Sequence, residues 1–478
     1  MLSDIRISGL TSDSRHVAPG FLFAALPGSR HDGRAFITDA LARGASAVLV
    51  PSGTDSRYVA SEAPPGPSIP PLLIDPDPRR RFALLAARFY GRQPETVAAV
   101  TGTNGKTSVV SFLRQIWAAT GTPGASLGTL GLTAPGLARS GNLTTPDPVD
   151  LHRTLAELAA AGIQHLAMEA SSHGLAQFRL DGVRIAVAAF TTFGRDHLDY
   201  HGSLEAYAAA KRRLFGELVT GGGTAVLNAD DALSEDLADA TVGRGIRVLS
   251  YGRAGRDARV LRLEPRPDGQ HLTLALGGEV RQAALPLVGD FQAANAVCAL
   301  LAAVASGTTL GAAWTALERL QGVPGRMQQV AKRANGAAVY VDYAHTPDAL
   351  TAALIALRPH AQGRLTLVFG CGGDRDPGKR PEMGQIAASL ADRVIVTDDN
   401  PRSEAPHAIR RAILAACPGA REIGDRAEAI GNAVATLDAG DVLLIAGKGH
   451  ESGQILGDRV LPFDDAEVAV EAVRIADR

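Results

Sequence analysis

Residues 98–110, AAVTGTNGKTSVV, join a short apolar run to an amphipathic one through two glycines, a lysine and a threonine. Residue types in this order suit a phosphate. Gly102, Thr103, Asn104, Gly105, Lys106, Thr107 and Ser108 would sit between a strand and a helix. Backbone N–H groups at a helix start point at an anion, the Lys106 ammonium adds charge, and the Thr107 hydroxyl is a ligand for Mg2+. The spacing departs from the common phosphate loop, which would want glycine at position 100, where the chain has Val100. A plain glycine-rich turn with a solvated lysine is the bland alternative. The coincidence of strand, GKT and amphipathic helix argues against it.

Two polar clusters follow later apolar runs. MEASSHG carries Glu169, Ser171, Ser172 and His173; GRDHLDYHG carries Asp196, His197, Asp199 and His201. A hard divalent cation takes oxygen ligands, keeps water and tolerates an occasional imidazole. Either cluster alone reads equally well as a capped turn. Both lying beyond strands beside a phosphate loop favours metal. Lys211, in YAAAKRRLF, reads by itself as a solvated helix lysine. Asp399-Asn400-Pro401-Arg402 reads by itself as a turn in which proline fixes φ, with a surface arginine. Arg179 has a clearer role, since a planar guanidinium matches a carboxylate or phosphate bidentately.

The elements that must position these groups follow from periodicity. Val97–Val100 is a strand; Val109, Phe112, Leu113, Ile116 and Trp117 recur at helical spacing behind the loop. The last 150 or so residues repeat one phrase four times, an apolar run followed by a loop dense in charge or glycine: AVYVDYAHTPD, LTLVFGCGGDRD, RVIVTDDNPR and VLLIAGKGHE. Parallel strands buried on both faces read this way, and open α/β sheets bind ligands beyond their carboxyl ends. The proline-rich APPGPSIPP at 63–71 is a surface loop. Breaks near residues 92 and 325 divide the chain into an α/β protein of three domains. These are a small N-terminal α/β domain at 1–92, a central domain at 93–325 on a parallel or mixed sheet, and a doubly wound, Rossmann-like C-terminal domain at 326–478.

Composition removes several function classes. The chain has 478 residues, 46% hydrophobic and 21% charged, enough for a substantial core. A net charge of −2 gives no reason to expect nucleic acid or an anionic membrane surface as partner. Asp4 and Arg6 interrupt any apolar N-terminal signal, and the longest apolar run, 296–305, is far short of the ~20 residues a membrane span needs. Three cysteines with no paired spacing suit a reducing compartment. We expect a cytoplasmic monomer, neither inserted in a membrane nor bound to nucleic acid.

The compact loop TGTNGKT is the form found in the Mur ligases and in their relative folylpolyglutamate synthetase. The chain resembles the Mur ligases over essentially its whole length. That resemblance implies ATP-dependent amide ligation with Mg2+, through an acyl-phosphate. It places ATP on residues 102–108, Asn295, Arg326, Asp342 and His345. It places Mg2+ on Thr107, Glu169, His197 and Lys211, the last matching the lysine that carries a carbamate in the family. Lys106, Lys211, His197 and Arg326 would serve catalysis. UDP-MurNAc-L-Ala-D-Glu would rest on Ser12, Ser14, Ser29, Arg30, His31, Thr144, Thr145, Ser171, Gln177 and Arg179. The motif at 399–402 distinguishes family members that add meso-diaminopimelate from those that add lysine; with Arg375, Gly447 and Glu451 it would hold that amino acid. Diaminopimelate carries a carboxylate that lysine lacks, and Arg402 offers it a fork of donors.

Two positions depart from the pattern: Thr192 stands where many relatives have asparagine, and Asn142 is one residue early. Lysine or ornithine as substrate, a folylpolyglutamate synthetase-like ligase, and a non-catalytic nucleotide switch are the alternatives. The N-terminal TSDSR…PGFLF and the 399–402 motif speak against the synthetase, and the polar loops outside the nucleotide site against the switch.

Overall fold

The computed structural model describes residues 6–28, 31–54, 71–141, 143–266 and 268–478. The apolar run before the phosphate loop becomes the strand Thr96–Thr101, buried from Val97 onward. It pairs in parallel with Ile185–Phe190 on one side and His165–Glu169 on the other. Parallel pairing continues outward to Val219–Asn228 and Arg247–Gly252, and on the other flank to Gly124–Gly128. Ala258–Arg266 adds in parallel to Arg247–Gly252, and antiparallel strands at 269–285 and 131–139 complete eleven strands in all. Because the central strands run the same way, the loops after residues 101, 169 and 190 leave one edge of the sheet.

Helices cover both faces. One apolar layer gathers Phe112, Ile116, Trp117, Ala296 and Leu300; the other gathers Leu151, Leu155, Phe190 and Phe215. The Trp117 indole nitrogen donates to Ser306 Oγ at 3.0 Å, so its polar atom is satisfied within the core.

The four repeated phrases form four neighbouring parallel strands: Ala338–Asp342, Val442–Ala446, Leu365–Phe369 and Arg393–Val396 in spatial order. Gln328–Lys332 adds antiparallel at one edge and Arg421–Glu422 parallel at the other. Apolar layers on both faces make the unit doubly wound. A separate hairpin, Gly453–Leu456 with Arg459–Pro462, follows the strand Val442–Ala446.

The N-terminal sheet is parallel and sequential: Gly9–Thr11, Phe21–Ala24, Ala47–Pro51, Leu72–Asp75. Its closing helix, Pro78–Tyr90, is capped by Asp77 and buries Phe82 in a cluster against which Val149 of the central unit packs. Most of the proline-rich loop, 63–70, lies outside the described residues. Among the described residues, no helix is long and apolar enough to cross a membrane, and all three cysteines are free and buried.

Candidate active site

The phosphate loop is shaped by what lies behind it. At Gly102 (φ 150°) a Cβ would fall 1.9 Å from Thr191 Oγ1, so the loop can pass the neighbouring strand end only with glycine there. Gly105, left-handed, opens the helix Lys106–Ala119. The segment after Ile185–Phe190 braces the loop. Thr103 N–H donates to Thr192 O (2.6 Å), Asn104 N–H to Thr192 Oγ1 (3.3 Å), and Thr191 Oγ1 to Asn104 O (2.5 Å). The hydroxyl at Thr192, unexplained by sequence, thus accepts a loop N–H. Lys106 Nζ donates to Gly102 O (2.8 Å) and Thr103 O (2.9 Å). Burial lowers its pKa, against the pull of Glu169 and Asp196, while Arg326 pushes the same way as burial.

Beside the helix lies a cavity of about 540 Å³. Thr107, Ser111 and Arg114 line it from the helix, Glu169 from its strand end, and His450 and Glu451 from the C-terminal unit. Glu169 is 1% exposed, and its carboxylate accepts Thr129 N–H (2.8 Å) and Thr129 Oγ1 (3.2 Å). A hydroxyl and a carboxylate facing one polar cavity fit a cation that prefers oxygen and keeps part of its water.

His197 and Lys211 do not line this cavity. His197, at φ 53°, packs its ring 4.7 Å from that of His173 and lies 3.4 Å from Asp196. Lys211 is 1% exposed, with Nζ 4.2 Å over the Tyr207 ring and no ion pair among the described residues. Burial, then the Lys106 charge, hold its pKa well below the usual lysine range. A π-helical turn, Leu214–Leu218, follows directly. Among the described residues no three His, Cys, Asp or Glu side chains gather for a metal.

The residues expected to carry the dipeptide form one network around the end of the Glu169 strand. Arg179 donates to Thr145 O (2.7 Å) and Gln177 Oε1 (2.7 Å). Thr145 Oγ1 donates to Glu169 O (2.9 Å) and accepts Ser171 N–H (3.0 Å); Thr144 and Thr129 share a hydroxyl contact of 3.1 Å. In the N-terminal unit, Ser14 is buried at the start of a turn capped by Asp13, while Ser12 and His31 are exposed; none of the three lines the cavity. Ser29, Arg30 and Asn142 lie outside the described residues.

At the junction of the central and C-terminal units, the expected nucleotide residues are joined in series. Asn295 Nδ2 donates to Gln292 Oε1 (3.0 Å), Gln292 Nε2 to Arg326 O (3.0 Å), and Met327 N–H to Asp342 Oδ2 (2.6 Å). The Arg326 guanidinium lies 4.4 Å over the Tyr343 ring, its buried Nε unpartnered. Burial raises the Asp342 pKa against the pull of Arg326 and lowers that of His345.

The 399–402 segment is pinned from several sides. Asn400 N–H donates to Asp399 Oδ1 (2.6 Å) and Asn400 Nδ2 to Glu451 Oε2 (2.8 Å). Pro401 is buried, and Arg402 adopts φ 52°. Arg402 is clamped by its N–H to Ile455 O (3.1 Å) and by Gly457 N–H to its own carbonyl (2.7 Å). Its guanidinium donates to Gly373 O (2.8 Å). Gly447 N–H donates to Asp342 O (3.1 Å), linking this loop to the end of the strand Ala338–Asp342; Arg375 is exposed. Sequence reasoning missed Thr129, Arg114 and Lys448. Lys448 stood within a motif already singled out, but nothing in the sequence marked it as buried.

Comparison with known proteins bears on all three units. Residues 6–90 match the model of the Mur ligase family catalytic domain, 100–303 the Mur ligase middle domain, and 325–449 the Mur ligase glutamate ligase domain. A protein of Rhizobium meliloti (strain 1021) named UDP-N-acetylmuramoyl-L-alanyl-D-glutamate--2,6-diaminopimelate ligase is 54% identical, over 97% of this chain and 94% of its own. One of the same name from Brucella melitensis biotype 1 is 52% identical over 98% and 94%. A solved structure of a ligase of that name superposes with TM-score 0.72 at 35% identity, covering 99% of this chain and 96% of that one.

Proposed function

Because the chain belongs to the Mur ligase family, we propose that it is the ATP-dependent ligase that joins meso-2,6-diaminopimelate to the D-glutamyl γ-carboxylate of UDP-MurNAc-L-Ala-D-Glu. The observation that carries this reading is the shared cavity. Thr107 and Glu169 of the central unit face the same space as Glu451 of the amino-acid loops. In this reading the phosphate chemistry and the incoming amino acid share one space.

In our reading the γ-carboxylate attacks the γ-phosphorus of ATP, giving an acyl phosphate and ADP. The amine of diaminopimelate, having lost a proton, attacks the acyl carbon; phosphate leaves and an amide remains. Lys106 and the loop N–H groups hold the phosphates, and Arg326 at the junction offsets charge on the transferring group. Two magnesium ions would be held, one by Thr107 and a second by Glu169 and His197 with a Lys211 carbamate beside them, and they would neutralise crowded phosphate charge. Burial, which favours the neutral amine of Lys211, suits carbamate formation, because carbon dioxide adds to the neutral form. The network of Thr144, Thr145, Ser171, Gln177 and Arg179 presents donors to the dipeptide, while Ser12, Ser14, Ser29, Arg30 and His31 take the uridine diphosphate end. Asn295, Asp342 and His345 flank the nucleotide. Arg375, Arg402, Asp399, Asn400, Gly447 and Glu451 receive diaminopimelate. We take a monomer acting in the cytoplasm as the working unit.

The test is a competition. Enzyme, UDP-dipeptide and ATP are given equal diaminopimelate, lysine and ornithine, and the product is weighed by mass spectrometry. Diaminopimelate adduct should dominate. Equal adducts would remove the specificity, and ATP turnover without any adduct would remove the ligase reading.

A further inference from the structure

Lys448 lies between two glycines in the loop after the strand Val442–Ala446, with its side chain fully enclosed. A buried ammonium persists only if its protons are accepted and its charge balanced. Its acceptors are Gly453 O (2.6 Å), Asn400 Oδ1 (3.1 Å) and Glu451 Oε2 (3.3 Å). An ammonium has donors only, so Asn400 must turn its oxygen towards it. The same oxygen accepts Ile455 N–H at 2.9 Å. Two donors thereby fix the amide, and its NH₂ is left to meet Glu451 Oε2. Glu451 Oε2 is thus held twice, and the side chain lines the cavity.

Within residues 399–402 and 447–451 the formal charges sum to zero, Asp399 and Glu451 negative, Arg402 and Lys448 positive; the adjoining Asp398 is paired with Arg410, and Arg375 is exposed. Resting on the reading that they hold the amino acid, we propose that Lys448 is a positioning residue for substrate selection. It cancels the field of Glu451 and fixes Asn400, so the pocket favours a substrate end that is itself neutral overall. An ammonium beside a carboxylate gains from Glu451 and Arg402 together. A lone ammonium, as in lysine, meets a carboxylate whose charge is already spent on Lys448.

The experiment compares kcat/KM for diaminopimelate and for lysine in full-length Lys448→Met and Lys448→Gln enzymes. With Glu451 uncompensated, the ratio in favour of diaminopimelate should fall by about tenfold or more, through the amino-acid KM, with the ATP KM unchanged. A merely structural role would lower both activities and leave the ratio where it was; that result overturns the proposal. Unmodified enzyme gives a second measurement. Norleucine, which lacks the distal charge, should inhibit within about threefold of lysine, and lysine binding tenfold tighter would equally overturn it. Glu451→Gln separates the two levels: if it leaves the amino-acid KM unchanged, the pocket assignment itself fails, whatever Lys448 does.

Discussion

Five residues other than glycine take left-handed φ values among those described: Phe178, His197, Met327, Asp374 and Arg402, at 48–58°. His197 and Arg402 are site candidates themselves. Phe178 separates Gln177 from Arg179, Met327 follows Arg326, and Asp374 precedes Arg375. Each such conformation costs roughly 1–2 kcal/mol and persists where surroundings enforce it, commonly at ligand sites. Arg402 shows the enforcement, with its N–H and carbonyl both bonded to the hairpin. Lys211 is held by other means, a buried amine over the Tyr207 ring with no ion pair among the described residues. A pKa well below the usual value leaves it uncharged over a wider range, and the uncharged fraction grows as pH rises. Lys211→Met should lose activity by about 100-fold or more, with partial recovery on adding acetate or formate in a phosphate-release assay. Near-normal turnover would dismiss the carbamate.

At the scale of elements, the strand ends of the C-terminal sheet are tied from beneath. Arg426 and Asp465, each starting a helix, form a two-pronged ion pair at 2.7 Å with neither side chain exposed. Arg426 also donates to Ala446 O (3.0 Å), where the Val442–Ala446 strand gives way to the Lys448 loop. Removing one partner strands the other charge, so Asp465→Ala should cost about 3–5 kcal/mol, read as a lower urea midpoint. An unchanged midpoint would show the pair to be dispensable.

This pair also marks the limit of what could be read beforehand. The four C-terminal strands were legible because burial on both faces leaves a continuous apolar run, and the phosphate loop because its residues are adjacent. Arg426 and Asp465 stand 39 residues apart, and Lys448 looks in sequence like any solvated lysine. The hairpin at 453–462 went unnoticed because its alternation is brief, and the bracing of Asn104 by Thr192 depends on two strands becoming neighbours.

For the molecule as a whole, the junction matters most. Asn295, Gln292, Arg326 and Asp342 connect the helix Asp290–Ala305 of the central unit, the interdomain segment and a C-terminal strand end. A non-hydrolysable ATP analogue should therefore slow amide hydrogen exchange at residues 102–108 and at 339–343 together. Protection confined to 102–108 would mean that the nucleotide stays within the central unit and that Asp342 and His345 serve something else.

The placement of Trp117 has a practical sequel. The chain contains two indoles, and the second, Trp314, packs against the same apolar layer. Selective excitation near the red edge therefore lights only the central unit, and the two flanking units stay dark. A smooth emission curve during melting says nothing about whether the loops proposed to hold the amino acid have already come apart. Following that event optically calls for a third indole, for instance at Phe463 beside the hairpin.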